Sequence, residues 1–242
     1  MSSVRVEEIL LSVLDDSADA ADAPARLVGA CAAALPITGV GLVLMTNASP
    51  AGTVAISDAR AGTMEDLQFT LGEGPCVECS RTGRPVLQPD LARTGPDRWP
   101  GFSAGALEAG IRAIFAWPLR VGGIRLGVLD LYRDRVGELS EAELIEALSF
   151  ADAATEVLLR MQALSELDGS GVVSIPLVED RAEVHQATGM ITVQAGVGMA
   201  EALLRLRARA YASERPIVDV ARDVLSGVLN FTEECDDDVK GR

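Results

Sequence analysis

The sequence is nearly free of lysine and histidine: Lys240 is its single lysine and His185 its single histidine. One histidine cannot sustain a metal site or a nucleophilic triad by itself. The chain also has no P-loop, GxGxxG or HExxH pattern, the common signatures of phosphate-binding, dinucleotide-dependent and zinc-dependent hydrolytic enzymes. These absences predict a protein that is not an enzyme.

Long apolar segments are absent too. No apolar run reaches the roughly 18 residues that a membrane-spanning helix needs, and the first residues, MSSVRVEEILLSVLDD, lack the basic start and cleavage site of a secretory signal. With 48% hydrophobic and 24% charged residues, the composition is ordinary for a globular protein. We therefore expect a cytoplasmic protein that does not enter a membrane, with one or two domains in its 242 residues.

The net charge of -15 excludes sequence-blind binding of nucleic acid through a broad positive field. The acidity is not uniform, however. Residues 178–230 carry six arginines and seven acidic residues, a net of -1, whereas Glu233, Glu234 and Asp236 to Asp238 crowd the end of the chain. Any contact with nucleic acid must therefore come from a local group of arginines.

The chain has four cysteines, Cys31, Cys76, Cys79 and Cys235, and the expected cytoplasmic location predicts that their thiols are reduced. Cys76 and Cys79 form a CxxC motif, CVEC, without a second pair or a nearby histidine. Because structural zinc takes four ligands, we expect neither a metal nor another cofactor. The pair is either a redox couple or a packing feature.

The pattern of elements up to about residue 165 predicts an α+β domain. Val40 to Thr46, Thr53 to Ser57, Ile111 to Leu119 and Ile124 to Tyr132 have strand character, and the last two form a hairpin around a Val-Gly-Gly turn. Ser140 and Glu143 form a capping box that begins a long helix. An apolar stripe on this helix either packs on the sheet and then on a second copy of the chain, or only covers its own sheet. The stripe comprises Leu144, Leu148, Ala151, Ala154, Leu158 and Met161.

Three segments of this region resemble GAF domains, and in particular those that precede ANTAR domains. They are LGEGPC (Leu71 to Cys76), RTGRPVLQPDL (Arg81 to Leu91) and the strand pair IFAWPLRVGGIRLGVLDLYR, which ends in a Gly-Val-Leu-Asp-Leu run. The resemblance implies an antiparallel sheet flanked by helices that acts as a sensor. Such a sensor binds a small-molecule ligand or relays a partner contact; the ligand and its binding residues stay unknown.

The segment after Pro176 predicts a small all-α bundle of three helices, at about 178–193, 199–212 and 216–229, each with an apolar stripe. Its small and basic residues resemble those of ANTAR domains at the same spacing, and the small ones are suited to close helix packing. Thr188 stands where that family usually has lysine. The matching residues are Ala187, Gly189, Ala202, Leu206, Arg207, Ala210, Val220 and Ala221.

This resemblance implies an RNA-binding regulator of transcription antitermination that recognises tandem hairpins in nascent transcripts, as a homodimer. The candidate RNA-binding residues are Arg205, Arg207, Arg209, Thr188 and Tyr211, because guanidinium groups grip phosphates or stack on bases and tyrosine can stack on an unpaired base. An alternative is a ligand-binding or dimerising signalling protein whose bundle contacts protein and not RNA. The near-neutral charge and Thr188 favour this alternative.

These interpretations together predict a domain order. A GAF-like sensor with its long signalling helix occupies 1–165, a linker 166–177, and an ANTAR-like output domain 178–232. An acidic tail at 233–242 completes the chain.

Overall fold

The computed structural model describes residues 2–14, 20–46, 49–167, 179–213 and 215–232. The chain divides into two compact units, Met1–Glu179 and Asp180–Arg242. Most of the predicted linker and all of the predicted acidic tail, with Cys235, lie outside the described residues. Each unit is described below by itself.

The N-terminal unit contains a mixed set of helices and strands, which confirms the predicted α+β class. The helices are α1 (Ser2–Val13), α2 (Ala23–Ala34), α3 (Ala59–Leu71), α4 (Pro75–Thr82), α5 (Leu91–Arg98), α6 (Pro100–Glu108) and α7 (Glu141–Leu167). The strands are β1 (Gly39–Thr46), β2 (Ser49–Ile56), β3 (Val86–Gln88), β4 (Ala113–Val121) and β5 (Ile124–Arg133), and a two-residue strand, β6 (Glu179–Asp180), falls where the chain divides into its two units. The strand order in the sheet of the N-terminal unit is β3-β4-β5-β1-β2. The pairs β1–β2, β1–β5, β3–β4 and β4–β5 are antiparallel.

The sheet separates two apolar cores because neighbouring residues of a strand point to opposite faces. On one face, Leu42 and Leu129 are cross-strand partners and pack with residues of α1, α2 and α7. On the other face, Val43 and Val128 are partners and pack with residues of α3, α4, α5 and α6. We call the second face the α3–α6 face, because the polar groups described below lie there.

Local signals in the sequence account for several helix boundaries. The predicted capping box is present: Ser140 N donates to Glu143 Oε2 at 2.7 Å and Glu143 N donates to Ser140 Oγ at 3.3 Å. The helix α4 begins at Pro75 and ends before Gly83, whose φ of 67° suits a left-handed C-cap. Asp58 accepts a hydrogen bond from Ala61 N at 2.8 Å and so caps α3.

The structure corrects several predicted elements. The strand predicted to begin at Thr53 begins at Ser49, and the segment from Glu65 to Phe69, for which no element was predicted, is helical. The helix α5 was not predicted, since its sequence contains Gly95 and Pro96, which suggest a loop. The predicted stripe on α7 is buried from Ala151 onward, but Leu148 is 46% exposed.

The C-terminal unit is a three-helix bundle, as predicted: α8 (Ala182–Ala195), α9 (Met199–Ala212) and α10 (Ile217–Leu225). The bundle core holds Val184, Ala187, Ile191, Ala202, Leu206, Ala210, Ile217, Val220, Ala221 and Val224. The third helix ends earlier than expected, because Gly227 with a φ of 76° follows it and Val228 is 78% exposed. Among the described helices, none is by itself long and apolar enough to cross a membrane; α8 and α9, bent by 106°, pass that test of length and composition only as a pair.

Candidate functional site

One face of α9 packs into the bundle, and two of the predicted basic residues, Arg205 and Arg209, lie together beside that face. Ala202, Leu206 and Ala210 recur at steps of four and are fully buried. Their small or compact side chains allow α9 to approach α8 and α10 closely. This packing turns Arg205 and Arg209, which are also four residues apart, away from the core.

Arg209 is exposed, and it makes no ion pair with any residue that the structure describes. Arg205 donates to Glu201 Oε1 at 3.1 Å, a pair within one helix turn that solvent screens. Tyr211 follows two positions after Arg209 and is 71% exposed. Two guanidinium groups and one phenol ring are therefore presented at the surface of a single helix.

Arg207 lies on another side of α9 and differs from the other two arginines in its surroundings. Its Nε atom is buried. Burial, together with the smaller effect of the nearby positive charge of Arg181, lowers the pKa of Arg207 to about 10. Arg181, just before α8, is 3% exposed. The two positive charges therefore lie close enough to repel each other.

Thr188 faces the interior of the bundle. It is 2% exposed, and its hydroxyl donates to the backbone oxygen of Val184 at 2.6 Å. This is the common bond of a helical threonine to the carbonyl one turn earlier. The structure thus brings Arg205, Arg209 and Tyr211 to the surface and leaves Thr188 in the core.

A shallow apolar groove runs between α8 and α10 of the bundle, with a volume of about 540 Å³. Met190 and Val193 on α8 and Leu225 on α10 line it. Val193 is 83% exposed and Met190 is 37% exposed. The groove is therefore a surface suited to apolar contact.

The N-terminal unit holds a chain of buried hydrogen bonds on the α3–α6 face of the sheet. Cys76 N donates to Gln68 Oε1 at 2.7 Å, and Gln68 Nε2 donates to the Tyr132 hydroxyl at 3.0 Å. The Tyr132 hydroxyl in turn donates to Glu65 Oε1 at 2.8 Å. The three hydrogen bonds all run in the same direction, from Cys76 N to Glu65. The Glu65 carboxylate is therefore the final acceptor of this series, and the Tyr132 hydroxyl holds it in place.

Asp130 lies beside this chain on β5 and is fully buried. Its cross-strand neighbours are Gly41 on β1 and Ala116 on β4, so the sheet offers little side-chain volume around it. A ligating atom from each of Glu65, Cys76 and Asp130 lies within 4.8 Å of the others. Two carboxylates and a thiol therefore converge on one point inside the core, and we call these three residues the buried polar cluster.

Two glycines make room for this arrangement. A Cβ at Gly41 would overlap the Glu65 carboxylate oxygen and lie 2.8 Å from its Cδ. A Cβ at Gly74, which has a φ of 126°, would lie 2.6 Å from the Gln68 Oε1. Gly41 therefore gives Glu65 its place above the sheet, and Gly74 does the same for Gln68.

Burial governs the ionisation of the groups around Asp130. It raises the pKa of the Asp130 carboxyl, and a hydrogen bond from the Cys76 thiol opposes this rise only in part. It also raises the pKa of the Cys76 and Cys79 thiols, which the negative charge of Asp130 raises further. A redox cysteine needs an accessible thiolate, so these buried thiols are poorly suited to that role. Both are free cysteines.

Sequence reasoning noticed only part of these sites. Cys76 and the Gly-Val-Leu-Asp-Leu run that contains Asp130 were recognised as parts of motifs. No element was predicted at Glu65, and Arg181, just before the first bundle helix, was not considered. One signal that could have found Glu65 is its spacing of three from Gln68, which places both polar side chains on one face of a helix. Their burial could not be read from the sequence.

Comparison with known proteins agrees with both units. A family model described as "GAF domain" matches residues 20–159, and one described as "ANTAR domain" matches residues 177–225. A comparison with curated proteins finds no match.

Solved structures similar to the chain include GAF domains. The GAF domain of a phosphoenolpyruvate-protein phosphotransferase from Coxiella burnetii is 16% identical, with a TM-score of 0.52 over 70% of this chain and 96% of its own. The GAF domain of the corresponding Acinetobacter protein is 14% identical, with a TM-score of 0.51 over 69% of this chain and 98% of its own. At these identities the likeness concerns the fold alone.

Proposed function

The chain belongs to the GAF domain family and carries an ANTAR domain behind it, and from this premise we propose that it binds RNA to prevent transcription termination. The two domains make it a signalling regulator of the antitermination kind. In our proposal the GAF domain, residues 1–165, senses a signal. Residues 166–177 link it to the ANTAR domain, residues 178–232, which binds tandem hairpins in nascent transcripts. Both domains are regulatory, so the proposal assigns the chain no catalysis.

The observation that carries RNA binding is the surface of α9, where Arg205 and Arg209 share one face and Tyr211 is exposed on another. Arg209 is exposed and makes no ion pair with a described residue. An RNA phosphate could therefore pair with its guanidinium group without displacing the carboxylate of a described residue. Arg205 would exchange Glu201 for phosphate at small cost, because an exposed pair within one helix contributes about 0.3–0.5 kcal/mol. Tyr211, 71% exposed, offers a ring for an unpaired loop base.

The remaining two candidate residues have supporting roles in this proposal. Arg207, beside Arg181, is placed to attract a phosphate to the edge of the same helix. Thr188 is buried, so we assign it to the packing of α8 and give it no direct contact with RNA. The usual lysine at this position would add a charge that this chain lacks.

A homodimer fits this function. The local arginine patch is small and the domain is nearly neutral, so a single bundle would bind weakly. Two linked bundles on two hairpins would gain affinity through effective concentration. A small-molecule ligand of the GAF domain would then act by changing how the two copies present their bundles.

The test is a gel shift with a tandem-hairpin RNA at several salt concentrations. Arg209→Ala should weaken binding about tenfold and reduce the salt slope by about one unit, as expected when one phosphate contact is lost. The matched control is Arg60→Ala, because Arg60 on α3 is also an exposed helical arginine and also makes no ion pair with a described residue. The absence of binding at low salt by the dimeric wild type would contradict the proposal.

The apolar groove favours a second candidate function, in which the bundle contacts protein. A Val193→Glu substitution places a charge in the groove and should leave the bundle folded, since Val193 is 83% exposed. Light scattering would show whether the full chain loses its self-association, and the same gel shift would show whether RNA binding survives. Loss of association in a chain that binds no RNA at all would favour this second function.

A further inference from the structure

The buried polar cluster places two carboxyl groups in the protein core, and one of them lacks strong hydrogen-bond donors. Glu65 and Asp130 are both carboxylic acids, 2% and 0% exposed. Neither oxygen of Asp130 accepts a hydrogen bond from an N–H or O–H group of the described residues, and the thiol of Cys76 is only a weak donor. A buried carboxylate without strong donors is costly unless it is protonated or faces a cation.

From this cluster we propose that the GAF domain binds a divalent transition-metal ion of the zinc type through Glu65, Cys76 and Asp130. The three side chains come from α3, α4 and β5, and their ligating atoms lie within 4.8 Å of one another. Around a tetrahedral zinc ion, with bonds of about 2.0–2.3 Å, such atoms are separated by about 3.3–3.5 Å. Movements of about 1 Å would therefore complete the site.

The surroundings fit a metal site as well as the ligands do. The Tyr132 hydroxyl donates to Glu65 and is held by Gln68, which matches the outer hydrogen bonds that orient metal-bound carboxylates. One thiolate and two carboxylates suit a borderline ion such as Zn²⁺ better than Mg²⁺ or Ca²⁺, which prefer oxygen alone. Three protein ligands leave one position for water or a small ligand.

This inference is independent of RNA binding, because the cluster belongs entirely to the N-terminal unit. Its consequence is structural: a bound ion would join α3, α4 and β5, three elements that otherwise meet here through the hydrogen-bond chain. The ion would make the CVEC motif a one-thiol site in which Cys76 is a ligand and Cys79 is not.

The experiment measures Co²⁺ and Zn²⁺ binding by the full chain after treatment with a chelator. Co²⁺ bound by a thiolate gives a sulfur-to-metal absorption band in the near ultraviolet, and tetrahedral Co²⁺ gives visible bands. The starting protein carries Cys31→Ser and Cys235→Ser. These substitutions remove a buried thiol of the opposite core and a thiol among the acidic residues at the chain end. We expect one Co²⁺ per chain with the sulfur band, its displacement by Zn²⁺, and a higher Tm with Zn²⁺.

Two matched variants test the ligand set. Cys76→Ser should abolish the sulfur band, whereas Cys79→Ser should keep it, although both thiols are buried in the same short helix. Asp130→Asn, which keeps the side-chain shape, should weaken Zn²⁺ binding at least tenfold. Absence of Co²⁺ binding by the starting protein would overturn the proposal, and so would loss of the sulfur band in Cys79→Ser.

Discussion

Replacing Gly41 by alanine should destabilise the GAF domain, because Glu65 occupies the space that the new methyl group would need. The added Cβ would overlap the Glu65 carboxylate oxygen, lie 2.8 Å from Cδ and lie 3.2 Å from Cγ. Gly41 does not have a positive φ, so the backbone tolerates alanine and the cost is purely one of packing. The carboxylate would have to move away from the Tyr132 hydroxyl, 2.8 Å away.

The size of the effect follows from these contacts. A lost hydrogen bond to a charged group costs about 1.5–3 kcal/mol, and an extra methyl group in a packed core costs about 1–3 kcal/mol. We expect Gly41→Ala to lower the free energy of unfolding by about 2–5 kcal/mol. The control is Gly29→Ala in α2, where nothing lies within 4 Å of the new Cβ. That change should stabilise the helix by about 0.5–1 kcal/mol.

The assay is urea unfolding followed by tryptophan fluorescence. The chain has two tryptophans, Trp99 and Trp117, and both are buried in the N-terminal unit, so the signal reports on the GAF domain alone. Repeating the substitution in a Glu65→Ala background should remove most of its cost, a coupling of about 1–3 kcal/mol. Equal stability of Gly41→Ala and the wild type, or an unchanged cost in that background, would refute the reasoning.

Two further predictions concern helix ends, and one concerns the RNA surface. Asp58→Ala should cost about 1 kcal/mol in urea unfolding because the cap on Ala61 N is lost, whereas Asp152→Ala, on the exposed side of α7, should change stability by less than about 0.5 kcal/mol. The hydrogen bond from Ser140 N lowers the pKa of Glu143, so its ionised form stabilises the fold above the ordinary carboxyl pKa of about 4.3. This stabilisation is lost as the pH falls through the lowered pKa. Glu143→Gln should therefore cost more stability at pH 7 than at pH 3, and an equal loss at both would contradict it. Tyr211→Ala should weaken RNA binding about fivefold or more if the ring stacks on a base, and Tyr211→Phe should bind like the wild type in the same gel shift.

Much of the fold could be predicted from the sequence because its signals are local. The capping box of Ser140, the proline at the start of α4 and the glycine after it each act within a few residues. The elements that were missed lack such signals: α5 contains Gly95 and Pro96, and α3 has no clear apolar stripe. The end of α10 was misplaced because apolar residues continue beyond Gly227, where the helix has already ended.

The candidate sites divide in the same way. Spacing along α9 predicts that Arg205 and Arg209 share a face, since the helix period alone decides it. The burial of Thr188 and the position of Arg207 beside Arg181 depend on how α8 and α9 pack. The CVEC motif suggested either a redox pair or packing, and only the fold places Asp130 and Glu65 beside Cys76.

The sequence by itself determined the two domain families, the order of most helices and strands, and the shared helix face of Arg205 and Arg209. Motifs and periodicity depend only on residues that are near one another in the sequence. Tertiary structure decided which polar groups are buried and which of them meet. Glu65, Cys76 and Asp130 lie on three separate elements, and their convergence depends on strand register, with Gly41 opposite Asp130. Strand register and helix packing are set by contacts between residues far apart in the chain, so no local pattern could predict this cluster.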